Sequence, residues 1–238
     1  MVIQMNQNQN FEEIYERIQN AKNKIGRKDK IFFTAVSKTR TVNEMSEAEN
    51  NISWIDFFGE NRVQEAENKR TLYPDSKIKW RLIGHLQNNK ARKAAEIFDT
   101  IDSLDSIELA LRLNRIAGEF NKKIPVLIEV NTSGEESKSG INPENFSQLL
   151  DITAAQENLK LEGLMTVGPL TDDEKKIREA FAVLRGLTER ARVSTGLELP
   201  IISMGMSDDF ELAILEGSTM IRIGTLLFGK RFYPDKNK

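Results

Sequence analysis

The stretch Ile31-Phe32-Phe33-Thr34-Ala35-Val36-Ser37-Lys38-Thr39-Arg40-Thr41 decides the fold. Residues 31–37 are apolar, aromatic and β-branched, which predicts a strand. Thr41 followed three residues later by Glu44 is the capping box that opens a helix. The turn between them contains no glycine. An open doubly wound sheet ordinarily marks its ligand site with a glycine-rich turn after the first strand. A strand-to-helix turn without one favours the other large α/β architecture, the (β/α)8 barrel.

The same alternation continues outward from this unit. Strands are expected at 31–37 (IFFTAVS), 54–58 (WIDFF), 79–83 (KWRLI), 100–104 (TIDSL), 125–130 (PVLIEV), 161–167 (LEGLMTV), 200–204 (PIISM) and 220–223 (MIRI). Helix starts are signalled between them by Thr41 with Glu44, Asp105 with Glu108, Thr171 with Glu174, and Asn142 before Pro143. Ile177, Phe181, Leu184, Leu187 and Ala191 recur at three- and four-residue intervals and predict the clearest helix. An additional amphipathic helix at 11–21 precedes the first strand. Eight strands in 238 residues match the roughly 250 residues of a (β/α)8 TIM barrel. No linker or repeat interrupts the chain, so one domain spanning 1–238 is expected.

Composition narrows the chemistry. The chain has no cysteine and one histidine, which removes disulfides, thiolate metal sites and cysteine nucleophiles. Lys plus Arg number 34 against 36 Asp plus Glu, so neither nucleic acid nor an anionic membrane is demanded as partner. The opening residues lack the basic and apolar segments of a signal peptide, and no apolar run reaches about 18 residues. A soluble cytoplasmic protein is expected, with no metal.

In a barrel of this type, chemistry gathers at the C-terminal ends of the strands. Lys38 closes the first strand there, where partial desolvation favours the neutral amine that forms imines. On spacing alone, a solvent-facing lysine at a strand end is the simpler reading, and the other strand ends decide. The seventh end, Ser203-Met204-Gly205-Met206-Ser207-Asp208-Asp209, reads as a turn with Ser207 as a helix N-cap, and the eighth, Arg222-Ile223-Gly224-Thr225, offers a second glycine and hydroxyl. Barrels often hold phosphate with the loops after strands seven and eight, so the two ends together favour a phosphate site. Lys38 opposite such a site suits a phosphorylated aldehyde held as an imine. A sugar-phosphate aldolase is the alternative that the barrel alone leaves open. His85, without a second His or Cys, reads as a rim or structural residue rather than a ligand, and 88–93 (NNKARK) as a solvated helix face.

Several motifs taken together go further. Ala35-Val36-Ser37-Lys38-Thr39, Phe58-Gly59-Glu60-Asn61 with Gln64-Glu65, Ile83-Gly84-His85-Leu86-Gln87, Ser137-Lys138-Ser139-Gly140, Gly163-Leu164-Met165, Ser203 to Asp209, and Gly217-Ser218-Thr219-Met220 running into Thr225 resemble the pyridoxal phosphate homeostasis protein family. The resemblance spans residues 11 to 231. It implies a fold-type III pyridoxal 5'-phosphate barrel like the N-terminal domain of alanine racemase. It implies Lys38 as the Schiff-base lysine, Ser207, Gly224 and Thr225 at the phosphate, Arg222 facing the pyridine nitrogen, and Asn61 and Met204 among the cofactor-binding residues. The family is regarded as a carrier or regulator of pyridoxal phosphate and amino acid pools, without an established catalytic activity, and the leading expectation for this chain is release of the cofactor to acceptor pyridoxal phosphate-dependent enzymes.

Physical reasoning sharpens that implication. An arginine opposite the ring nitrogen cannot give the ring a proton as a carboxylic acid can, so the ring stays a weaker electron sink. Weak amino acid racemase-like activity is the alternative function. Alanine racemase uses a second domain that supplies a tyrosine base, whereas this sequence ends soon after its eighth strand. Its three tyrosines, Tyr15, Tyr73 and Tyr233, lie away from every strand end. No catalytic residue is therefore assigned, and a monomer is expected because no second domain builds an interface. The contribution of Lys138, in the loop at 134–140, stays open.

Overall fold

A computed structural model describes residues 7–229, and Tyr233 lies outside them. Eight parallel strands close into a barrel in chain order: β1 (Phe32–Val36), β2 (Phe57–Glu60), β3 (Lys79–Leu82), β4 (Thr100–Leu104), β5 (Ile124–Glu129), β6 (Leu159–Met165), β7 (Ile201–Ser203) and β8 (Met220–Ile223). Around them lie α2 (Val42–Asn51), α3 (Val63–Leu72), α4 (Ala91–Ile97), α5 (Ile107–Glu119), α6 (Phe146–Ala154), α7 (Glu174–Thr195), α8 (Phe210–Leu215) and α9 (Thr225–Phe228). The expected (β/α)8 barrel is the observed fold. The extra helix, α1 (Gln7–Lys24), is longer at both ends than its apolar stripe predicted. It is pinned to the last helices by Arg17, whose guanidinium donates to Glu211 at 2.7 and 3.0 Å, and by Asn10, whose Nδ2 donates to the Leu227 carbonyl at 3.1 Å. No described helix is long and apolar enough to cross a membrane.

Two strands sit differently from the sequence expectation. The second was expected at 54–58, but Trp54 stands before the strand and packs its ring on Phe11, Tyr15 and Phe33 at centroid distances of 4.4, 4.6 and 6.0 Å. Its aromatic character serves α1 rather than the sheet. The strand instead runs through Gly59, where an added Cβ would meet Thr34 Cγ2 at 2.8 Å. The sixth strand begins two residues early, because Ile124 is in register with Leu159.

The helix caps also divide. Thr41 and Glu44 form the expected reciprocal capping box, and Asn142 accepts from the Glu144 N–H ahead of a short 3-10 turn. Before α5, Ser106 rather than Asp105 is the cap and accepts from the Leu109 N–H, which leaves Asp105 to bond His85 Nδ1 at 3.0 Å. Before α7, Asp173 rather than Thr171 caps, while Thr171 accepts from the Asp173 N–H one turn earlier.

The barrel interior is layered, as side-chain alternation along parallel strands requires. Leu127, Met165, Ile201 and Met220, with Phe32 and Phe57 against them, form an apolar floor. Two residues further along five of these strands stand Thr34, Glu129, Ser203 and Arg222, all buried and polar, with Gly59 leaving room beside Thr34. This second layer is the base on which the strand ends build their site.

Candidate functional site

Arg222 is the centre of the polar layer. It is 3% exposed. Its Nη1 donates to Ser203 Oγ at 2.7 Å and its Nη2 to the Thr166 carbonyl at 2.8 Å. Register places it beside Thr34 of β1. Burial pushes the guanidinium down from its ordinary value, while Asp102, Asp209 and Glu129 act in the opposite direction. Across the layer, Arg81 Nε bonds both oxygens of Asp102 at 2.8 and 3.1 Å. The guanidinium lies over the Phe57 ring.

Glu129 has no such partner. Its Oε2 is buried without a protein hydrogen bond. Burial first, then Asp105, pushes its carboxyl up to about 7 from an ordinary 4.5. A raised acid pKa means the folded state holds its proton after the unfolded chain has lost it. Stability is therefore full below pH 4.5 and declines as pH rises towards 7, by about 3 kcal/mol at roughly 1.4 kcal/mol per unit. Glu129→Gln is expected to match the native chain near pH 4.5 and to exceed it near pH 8 in urea unfolding. An equal advantage at both pH values would contradict this.

Above Arg222, a recess of about 150 Å3 opens between the ends of β1, β7 and β8. Lys38, Val36 and Arg40 line it from the first strand end, Met206, Ser207 and Asp208 from the seventh, and Arg222, Gly224 and Thr225 from the eighth. The volume is below the roughly 300–1,000 Å3 of drug-sized ligand sites and suits a compact anionic group with the rest of its molecule towards the mouth. Three cations, Lys38, Arg40 and Arg222, face one exposed carboxylate, Asp208. The glycines permit the close walls. Gly205, at φ +95°, has space for no Cβ, since Ala213 Cβ would lie 2.6 Å away, and its carbonyl accepts from the Arg222 N–H at 3.0 Å.

Five of the seven residues singled out in the sequence meet in this recess: Lys38, Ser207, Arg222, Gly224 and Thr225. Ser207 is not the helix cap it resembled. Asp209 precedes α8, its Oδ1 accepts from the Met206 N–H at 2.6 Å, and Ser207 Oγ accepts instead from the Leu226 N–H at 3.4 Å. Ser207 thereby ties the seventh end to the eighth. Asn61 and Met204 do not line the recess. The backbone of Asn61 lies against Gly84, where a Cβ would sit 2.4 Å from the Asn61 carbonyl oxygen. Met204 is fully buried in the core next to Gly205. His85 is half exposed on the Asp105 carboxylate. Lys138 pairs with Glu135 and donates to the Gly168 carbonyl in an adjoining cleft that shares Met206 and Asp208 with the recess. Among the described residues, no cluster of three or more His, Asp or Glu is arranged to hold a metal.

Sequence reasoning missed Arg40, whose distance from the strand gave no signal, and Lys69 of α3. Lys69 is 6% exposed. Its Nζ donates to the Ser37 carbonyl and to Glu60 Oε1, each at 2.7 Å. Its position four residues after Glu65 was the available signal.

A closed parallel barrel with a lysine just after β1, in a cationic recess shared with the ends of β7 and β8, defines an alanine racemase-like barrel protein. Residues 9–232 match the family model described as alanine racemase, N-terminal domain. The chain belongs to the pyridoxal phosphate homeostasis protein family. It is 40% identical over 230 residues to the protein of that name from Aquifex aeolicus, covering 96% of this chain and 100% of the relative. The Vibrio alginolyticus relative is 39% identical, with 94% and 97% covered. Among solved structures, Synechococcus elongatus PipY with pyridoxal phosphate bound superposes with a TM-score of 0.79 at 36% identity, covering 90% of this chain and 99% of that one. Clostridium difficile alanine racemase, at 18% identity and a TM-score of 0.75, shares the fold, and 61% of its length is covered.

Proposed function

We propose that this protein binds pyridoxal 5'-phosphate, holds it as a Schiff base on Lys38, and serves intracellular pyridoxal phosphate and amino acid homeostasis. The observation that carries this reading is Lys38 in one cationic recess with Ser207, Arg222, Gly224 and Thr225, where the end of β1 meets those of β7 and β8. The PipY relative, whose structure contains pyridoxal phosphate, supports it.

The residues present fit the group. The phosphate belongs at Ser207, Gly224 and Thr225, where two turns meet and Ser207 bridges them. Arg222 is held by Ser203 and Thr166 and offers its remaining N–H groups upward, as a donor to the pyridine nitrogen. Lys38 would hold the group covalently through its side-chain amine at the aldehyde carbon, with water released. When bound, the group supplies an electrophilic carbonyl and an electron-withdrawing ring.

In this reading the protein mainly holds the carbonyl, and weak racemase-like turnover is the alternative. Arg222 gives the ring nitrogen no proton, and the described tyrosines are engaged elsewhere: Tyr15 packs on Trp54, and the Tyr73 hydroxyl donates to Glu49 at 2.7 Å. Neither serves as the base that a racemase needs. The working form is a cytoplasmic monomer that passes its cargo to acceptor enzymes.

Paired titrations with pyridoxal phosphate and with phosphate-free pyridoxal test this reading. The charged recess is expected to favour the phosphorylated aldehyde by about 100-fold or more. Equal affinities would remove the phosphate assignment.

A further inference from the structure

Lys38 stands in a turn that its own sequence disfavours. The Arg40 N–H donates to the Ser37 carbonyl at 2.9 Å, so residues 37–40 close a tight turn with Lys38 and Thr39 at its centre. Thr39 has φ +65°. That left-handed position favours Gly or Asn and penalises a β-branched residue. Such a conformation persists only where its surroundings enforce it.

The enforcing groups come from β2 and α3. Lys69 reaches from α3 to donate to the Ser37 carbonyl at 2.7 Å, and the Ser37 hydroxyl donates to Glu60 Oε1 at 2.7 Å. The same Glu60 oxygen receives Lys69 Nζ at 2.7 Å. On the far side of Lys38, the Thr39 N–H donates to Glu65 Oε1 at 2.5 Å, and Glu65 also pairs with Lys69 at 2.7 Å. One buried ammonium thus joins the clamps on both peptide units that flank Lys38. A fully exposed helix lysine would have no such reach. Lys69 and Glu60 are both nearly inaccessible, and burying a charge pair of this kind requires this density of hydrogen bonds.

We propose that Lys69, with Glu60 and Glu65, is a positioning residue that fixes the backbone on either side of Lys38 and so aims its amine at the aldehyde. This rests on the assignment of Lys38 above. Aiming acts on the rate at which the covalent bond forms, because orientation removes an entropic part of the barrel's bond-forming barrier. The phosphate side of the recess, Ser207, Gly224 and Thr225, comes from the ends of β7 and β8 and not from the clamped turn, so binding of a phosphorylated ligand without an aldehyde is left nearly unchanged.

Stopped-flow absorbance of imine formation with pyridoxal phosphate, beside equilibrium binding of pyridoxine phosphate, which has an alcohol in place of the aldehyde, separates the two. Glu60→Gln with Lys69→Met removes both buried charges together and is expected to slow imine formation at least about 10-fold while pyridoxine phosphate affinity stays within about 2-fold. Glu65→Ala alters a partly exposed side chain, so it decides the matter if the double variant does not fold; about 3-fold slowing is expected. Native rates in folded variants overturn the proposal, as does a parallel loss of pyridoxine phosphate binding. If the native chain itself forms no imine, the assignment of Lys38 fails instead.

Discussion

Lys38→Ala is expected to abolish covalent retention of pyridoxal phosphate: the variant shows no imine absorbance at the visible edge and loses the cofactor on gel filtration. Lys38 stands in the turn after β1, on the wall of the recess. The chain contains no cysteine to substitute as a nucleophile. Lys138, in the adjoining cleft, is committed to Glu135 and the Gly168 carbonyl. The phosphate contacts remain in the variant, so binding weakens rather than disappears. An affinity loss on the order of 100-fold, about 3 kcal/mol, is expected. An unchanged spectrum in the variant would place the imine elsewhere.

The second large effect concerns the fold. Gly163 of β6 has φ +155°, and a Cβ built on it would lie 1.8 Å from the Ile201 carbonyl oxygen and 2.7 Å from its carbon. These are backbone atoms of the neighbouring strand, in register with Gly163. They cannot rotate away as a side chain can. Gly163→Ala must therefore part β6 from β7, which also carries Ser203 beneath Arg222. A loss of at least about 4 kcal/mol, or failure to fold, is expected. Gly186 in α7 is the control, because a Cβ there meets only Arg190 Nη1 at 3.7 Å. Gly186→Ala is expected to be neutral or to stabilise by up to about 1 kcal/mol. Urea midpoints of the two variants check both, and a Gly163→Ala chain as stable as the native one would refute the packing account.

The strand pattern was legible because parallel barrel strands are buried on both faces and stand out as short apolar runs. Where that signal failed, a competing use of an aromatic residue was responsible: Trp54 looks like strand but covers α1. Caps were legible when the side chain and the reciprocal glutamate agreed, as at Thr41. They slipped by one or two residues where adjacent Asp, Ser and Thr all fit, because only the backbone angle decides which residue caps. The ends of β1, β7 and β8 were legible as a site because the barrel dictates where strand ends meet. The charged groups around Arg222 were not. Arg81, Asp102 and Glu129 lie on three separate strands, and nothing local in sequence links them to Arg222. Lys69 was hidden for the same reason, since a lysine on a helix ordinarily faces water.

Borohydride reduction of the protein loaded with pyridoxal phosphate, followed by peptide mass mapping, tests the central claim most directly. Reduction converts the imine into a stable secondary amine, so the attachment point survives digestion. The account predicts one reduced cofactor per chain, on the peptide containing Lys38. A label on Lys138 or another lysine, or no label at all, would contradict it.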